Sequence, residues 1–65
     1  MSNYTDSRGR TYDVTDRIRF RDEHLMNAIW AAGRKAESAQ DESERLRQTE
    51  IARTLRAEAQ RRELV

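Results

Sequence analysis

Residues 18–46 read IRFRDEHLMNAIWAAGRKAESAQDESERL, and the spacing of their apolar side chains governs the fold. Ile18, Leu25, Ala32, Ala39 and Leu46 recur every seventh residue, with Ile29 and Ala36 between them. That is the a/d pattern of a helix with one seam to bury. On a helical wheel, Val14, Ile18, Leu25, Met26, Ile29, Trp30, Ala32, Gly33 and Ala36 fill an arc of about 160°. Phe20 and His24 fall outside it. So wide an arc exceeds a two-stranded seam, and residues 18–36 are expected to meet more than one neighbour.

Toward the C-terminus the stripe thins. Between Asp41 and Glu50 only Leu46 is apolar. The segment is laced instead with opposite charges three or four residues apart: Asp41–Arg45, Glu42–Arg45, Glu44–Arg47 and Glu50–Arg53. Each such pair adds about 0.2–0.5 kcal/mol to a helix and gives it little to bury. Ile51, Leu55 and Ala59 then resume an i, i+4 stripe, rotated about the axis from the first. The chain has no proline, and Gly33 is the one interior breaker, costing about 1 kcal/mol relative to alanine.

Thr15 or Asp16 is the natural N-cap, because either side chain accepts an orphan amide of a first turn. The unbroken heptad phase across Gly33 favours one long amphipathic helix over about residues 16–62, about 65–70 Å from end to end. The alternative is a helix bent once between Gly33 and Gln40 into a helical hairpin. Ser38-Ala-Gln-Asp41 would then serve as the capping box of the second arm, with Asp in place of Glu or Gln. Either way the class is mainly α, with residues 15–65 as the helical segment of a single small domain.

Residues 1–14 differ in kind. Tyr4-Thr5, then Asp6-Ser7-Arg8-Gly9, then Arg10 to Val14 read as strand, turn and strand. Asp suits the first turn position, and Gly9 accepts a left-handed backbone. Tyr12 and Val14 alternate with Thr11 and Asp13, as in a half-buried strand. An isolated two-stranded hairpin is marginal in water, so this segment is either a hairpin lying on a surface or an extended arm.

Sixty-five residues make one small domain. Chains of this size gain no more than about 3–5 kcal/mol from a core and lean on disulfides, metals or partners. Cysteine is absent and histidine occurs once, which leaves self-association or a host assembly as the expected support. The net charge is +1, too small for bulk attraction to nucleic acid. It is distributed in blocks: residues 1–21 and 45–65 are net positive, residues 22–44 net negative. Such a pattern either steers antiparallel pairing or reflects a solvated helix surface. No apolar run approaches the ~18–20 residues of a membrane span, and no signal-peptide core follows Met1. A cytoplasmic setting is expected, or a virion assembled in a cytoplasm.

The inventory offers no enzyme. His24 sits beside Asp22 and Glu23, but adjacent helical residues point in different directions, and so short a chain cannot enclose a water-free pocket. Asp41, Glu42 and Glu44 lack the glycine turn and oxygen spacing of a calcium loop. No catalytic, cofactor-binding or metal-binding residue is expected.

Nucleic-acid contact enters through Arg17, Arg19 and Arg21. Read at period two, they share one face of a strand whose other face carries Val14, Ile18 and Phe20, before a helix opens at Asp22. In this the stretch 16–36 resembles the opening of a ribbon–helix–helix repressor, in which paired strands enter the major groove. The resemblance implies a small DNA-binding regulator, with those arginines reading guanine. The chain departs from that pattern: no turn follows about twelve residues into the first helix, and Asp16 falls on the apolar face. The plainer reading makes these arginines the exposed first turn of a helix.

The leading expectation is a non-enzymatic protein–protein interaction module that self-associates or docks into a larger assembly. Leu25, Met26, Ile29 and Trp30 form the main contact, with Ile18 beside them and Ile51 and Leu55 as a second. Tryptophan is enriched at binding hot spots and methionine adapts to irregular pockets, although residues so spaced are equally ordinary core. Tiny, cysteine-free, charge-rich chains are common among phage-encoded accessory proteins, both virion components and inhibitors of host machinery.

Overall fold

The computed structural model describes residues 3–6 and 8–65; Met1, Ser2 and Ser7, the last in the expected turn, lie outside the described residues. In chain order the elements are strands β1 (Asn3–Thr5) and β2 (Thr11–Asp13) and helices α1 (Asp22–Ser38) and α2 (Glu42–Arg61). The fold is mainly α behind a short antiparallel β-hairpin, as the sequence implies. Of the two helical alternatives, the bent one forms. The longest dimension is 32 Å, half what a continuous 16–62 helix would need.

The bend lies beyond Gly33, which sits inside α1. Ser38 closes α1 with its hydroxyl donating back to the Arg34 carbonyl at 3.1 Å. Ala39 turns extended (φ −64°, ψ 134°), and Asp41 caps α2 by accepting the Glu44 amide at 2.7 Å. Asp41 itself is thus the N-cap, the place the capping-box reading gave to Ser38. Folding back joins the two stripes: Leu25, Ile29 and Ala32 of α1 form one cluster with Ile51, Ala52, Leu55 and Ala59 of α2. Each buried Leu or Ile contributes about 1.5–3 kcal/mol, against about 1 kcal/mol for each helical hydrogen bond given up at the bend. Burial wins. The heptad outside α1 carries no seam, since Ile18 and Leu46 are exposed.

α1 starts at Asp22, later than the expected residue 16, because Asp16 caps a separate turn. Its carboxylate accepts the amides of Ile18 (3.0 Å) and Arg19 (3.3 Å), and its carbonyl accepts that of Phe20 (2.8 Å). This turn carries Phe20 into the core at 3% exposure, a place the wheel denied it. The hairpin lies on Phe20. Tyr4 pairs with Tyr12 across the strands, and both rings meet Phe20 edge-on at 6.3 and 6.4 Å. Gly9 takes φ 84° in the connecting turn, where an L side chain is strained.

The ends are tied by Arg62. Its side chain is 2% exposed. The guanidinium donates to Glu58 Oε2 (2.8 Å) and Asp22 Oδ1 (3.2 Å), and to the carbonyls of Phe20 (2.6 Å) and Val14 (3.1 Å). Burial lowers its pKa, but the bonds to Glu58 and Asp22 more than offset this, so it is raised overall and the charge is held. α2 stops just there in a paired-carbonyl ending. Glu63 adopts φ 60°, its amide bonds Gln60 at 3.0 Å, and that of Leu64 bonds Ala59 at 2.9 Å.

Arg62→Ala is expected to cost about 3 kcal/mol or more, because the buried Glu58 carboxylate loses its hydrogen-bonded counter-charge and keeps only the exposed Arg61 at 3.8 Å. In a domain this small that amounts to unfolding at room temperature, read by urea melts. The double variant Glu58→Met/Arg62→Met should recover part of the loss, the remainder reflecting the Val14 and Phe20 carbonyls. A melt of Arg62→Ala close to that of the wild type would overturn this account.

Candidate interaction surfaces

Seven side chains stand as expected partner contacts, and the structure sends them to different places. Leu25, Ile29, Ile51 and Leu55 are buried in the intramolecular core, so the contact α1 was expected to make with another chain is made by α2. Met26 is half-buried against that core. Trp30 is 67% exposed, and Ile18 stands alone in the turn before α1 at 89%. What remains outside on α1 is a Met26–Trp30 ridge, one turn apart. The Arg34 guanidinium lies over the indole at 5.2 Å, a contact worth about 0.5–1 kcal/mol at an exposed site.

Beside this ridge runs a groove of about 400 Å³ between the helices, with Gly33 and Ala36 on one wall and Ala52, Arg53 and Arg56 on the other. Its small side chains are the reason it is concave. A second cleft, of about 550 Å³, opens between the hairpin, α1 and α2 over Phe20 and Leu55, with Arg8, Arg19 and Lys35 at its edge. The Asp6 carboxylate on this edge is occupied by the amides of Arg8 (2.9 Å) and Arg10 (3.0 Å) and the Tyr12 hydroxyl (3.3 Å). Burial, with Tyr12 and Asp6 nearby, pushes the Tyr4 phenol up, so it stays protonated at neutral pH.

Arg17, Arg19 and Arg21 are exposed, but Arg17 and Arg19 lie on a turn and Arg21 is the extended N-cap residue of α1. The strand that would align them for a DNA groove does not form, since Asp16 closes the chain into a capped loop first. The strands that do form pair with each other. Arg19 is turned toward the hairpin, its guanidinium over the Tyr12 ring at 5.6 Å. His24 meets Phe20 edge-on at 5.5 Å. Among the described residues no three His, Asp or Glu side chains converge as metal ligands do, and no helix is long and apolar enough to cross a membrane.

Of the charge pairs read in the sequence, Glu42–Arg45 and Glu50–Arg53 form. Glu44 instead accepts from the buried Gln48 at 2.9 Å. The pair that matters most, Glu58–Arg62, was not among them. Its signal was present: residues 51, 55, 58 and 62 follow one helical stripe, so two charges fall on a buried face.

Compared with known proteins, the chain matches no family model, and neither a curated protein nor a solved structure matches it. The functional reading therefore rests on these side chains.

The Arg10 amide, followed by the Arg8 amide and the Tyr12 hydroxyl, holds the Asp6 carboxyl below its ordinary value; the Thr15 hydroxyl and amide do the same for Asp13. A lowered carboxyl stabilises the fold above the ordinary carboxylate range and loses that contribution as pH falls through the lowered value. Acidification should thus loosen the hairpin, with the Arg8 and Arg10 amide resonances tracking Asp6 in an NMR titration. Asp6→Ala should fray those amides at neutral pH while leaving the helical circular dichroism unchanged. An Asp6 carboxyl titrating at its ordinary value would contradict this.

Proposed function

We propose that this chain is a non-enzymatic protein–protein interaction module that binds its partner through the Trp30-centred face of α1. It does so by self-association or by docking into a larger assembly as an accessory, structural or inhibitor protein. One observation carries the reading: Trp30 is 67% exposed on a helix whose Leu25 and Ile29 are inside. A tryptophan buries about 150–250 Å² when covered, and this chain is short of apolar area to bury. Leaving the indole outside forgoes stability the core could use. A partner that covers it recovers that area.

The contact set is narrower than the sequence implied. Met26 and Trp30 present the surface. Leu25, Ile29, Ile51 and Leu55 support it by locking α1 on α2, and Ile18 stands apart. Arg34 covers one face of the indole and leaves the rest free. Size, absence of cysteine and charge density suit an accessory protein of the kind phages encode, acting in a cytoplasm or in a virion assembled there.

A photo-crosslinking amino acid at position 30, in cells of the native source, should join the chain to a discrete protein, itself or another. The same probe at Arg47, exposed on α2, should not. Trp30→Ala should leave the monomer's melt within about 1 kcal/mol of wild type, the contact with Arg34 being what is lost. Absence of any specific crosslink at position 30 overturns the reading.

A further inference from the structure

Gly33 has no purpose inside its own chain. It lies within α1, where glycine costs about 1 kcal/mol relative to alanine. A Cβ built there would meet nothing within 4 Å, and its φ is not left-handed. Neither packing nor backbone geometry calls for glycine at this point. A bare backbone at this point permits close approach from outside.

The surroundings specify what approaches. Gly33 stands on the wall of the 400 Å³ groove, and Trp30 projects from the same helix face three residues earlier. A projection and a hollow thus lie side by side on one surface. That is the self-complementary arrangement a two-fold dimer requires, since each copy then offers its projection to the other's hollow. The charges match in the same sense. Glu23 and Glu37 lie two turns either side of Trp30 and form no ion pair among the described residues, and neither does Arg56 at the groove. Arg53, its neighbour, is 73% exposed and holds only Glu50. A two-fold axis would bring Glu23 and Glu37 of one copy toward Arg53 and Arg56 of the other, with Arg34 staying on its own indole and Arg53 already shared with Glu50. A standard interface takes about 800 Å² per partner, a modest part of the 5033 Å² the chain exposes.

The geometry points to a second copy of this chain as the occupant: Trp30 of each protomer seats in the Gly33-walled groove of the other, forming a two-fold dimer. This rests on the reading of Trp30 as a partner-binding residue and adds the identity of the partner. Binding is expected in the micromolar range, where interfaces of this size begin.

Sedimentation equilibrium of the full chain should show a monomer–dimer equilibrium. Over the same concentrations the emission of Trp30, the single tryptophan, should shift to the blue and resist iodide quenching. A Cβ at Gly33 meets nothing within 4 Å in the monomer, so the melt of Gly33→Ala, taken at monomer concentrations, should equal or exceed wild type, while Gly33→Leu should weaken dimerisation about tenfold or more. Two charge-reversed variants, Glu23→Arg/Glu37→Arg and Arg53→Glu/Arg56→Glu, should each be folded and monomeric, and should associate on mixing. Dimerisation of Gly33→Leu at wild-type affinity overturns the proposal, as does failure of the two variants to associate. A wild type that stays monomeric while position 30 crosslinks to a different protein also overturns it, leaving the broader interaction reading intact. Self-association unaffected by Trp30→Ala defeats both.

Discussion

The Arg62 guanidinium is where this small chain is closed. Its fixed fork of N–H donors reaches acceptors on three segments that share no regular secondary structure: Glu58 on α2, Asp22 at the start of α1, and the Val14 and Phe20 carbonyls in the link between hairpin and helix. Buried carbonyls in an irregular link have no ladder to satisfy them. A side chain arriving from the other end of the sequence does so instead. Because Glu58 is buried with it, the charge is offset within the core. Asp22, at the α1 N-terminus, also gains from the helix dipole. Position of the link fixes Phe20, and Phe20 in turn gives Tyr4 and Tyr12 a surface.

Around this tie the apolar core is small. Its buried members are Val14, Phe20, Leu25, Ile29 and Ala32 with Ile51, Ala52, Leu55 and Ala59. Alanines let the helices approach closely but contribute little area, which is why grooves remain on either side of α1. Charge contributes one pair between the start of α1 and the end of the chain, Asp22–Arg62; the other ion pairs of the described residues lie within the C-terminal segment. At Trp30 and the Gly33 groove the acids and arginines left without internal partners are available again.

Function in such a molecule has to be read from what the core did not take. The largest side chain of the sequence is outside it, and glycine occupies a helical position that internal packing would give to alanine. Both choices oppose the stability of the lone chain. These two local departures on one face are the observations on which the proposed interaction surface rests.

From the sequence alone the class was legible. The apolar period gave helix over about residues 16–62, of which 22–38 and 42–61 form, Gly9 and Asp6 allowed a hairpin beside an extended arm, and the wide arc gave Leu25, Ile29 and Ala32 a buried face. The sequence also placed Trp30 and Met26 together on that helix. It favoured an unbroken helix, wrongly, because the heptad phase passes across the bend and only a capping aspartate at position 41 marks it. Nor did it separate core from contact: periodicity records that a face is apolar, not which neighbour covers it. That assignment depends on α2 folding back, which exhausts Leu25, Ile29, Ile51 and Leu55 and leaves Trp30 outside. Phe20 was decided by tertiary structure alone; Arg62 lay on the buried stripe of α2 with Glu58, but its bonds to the Phe20 and Val14 carbonyls, 42 and 48 residues away, were beyond the reach of any local pattern.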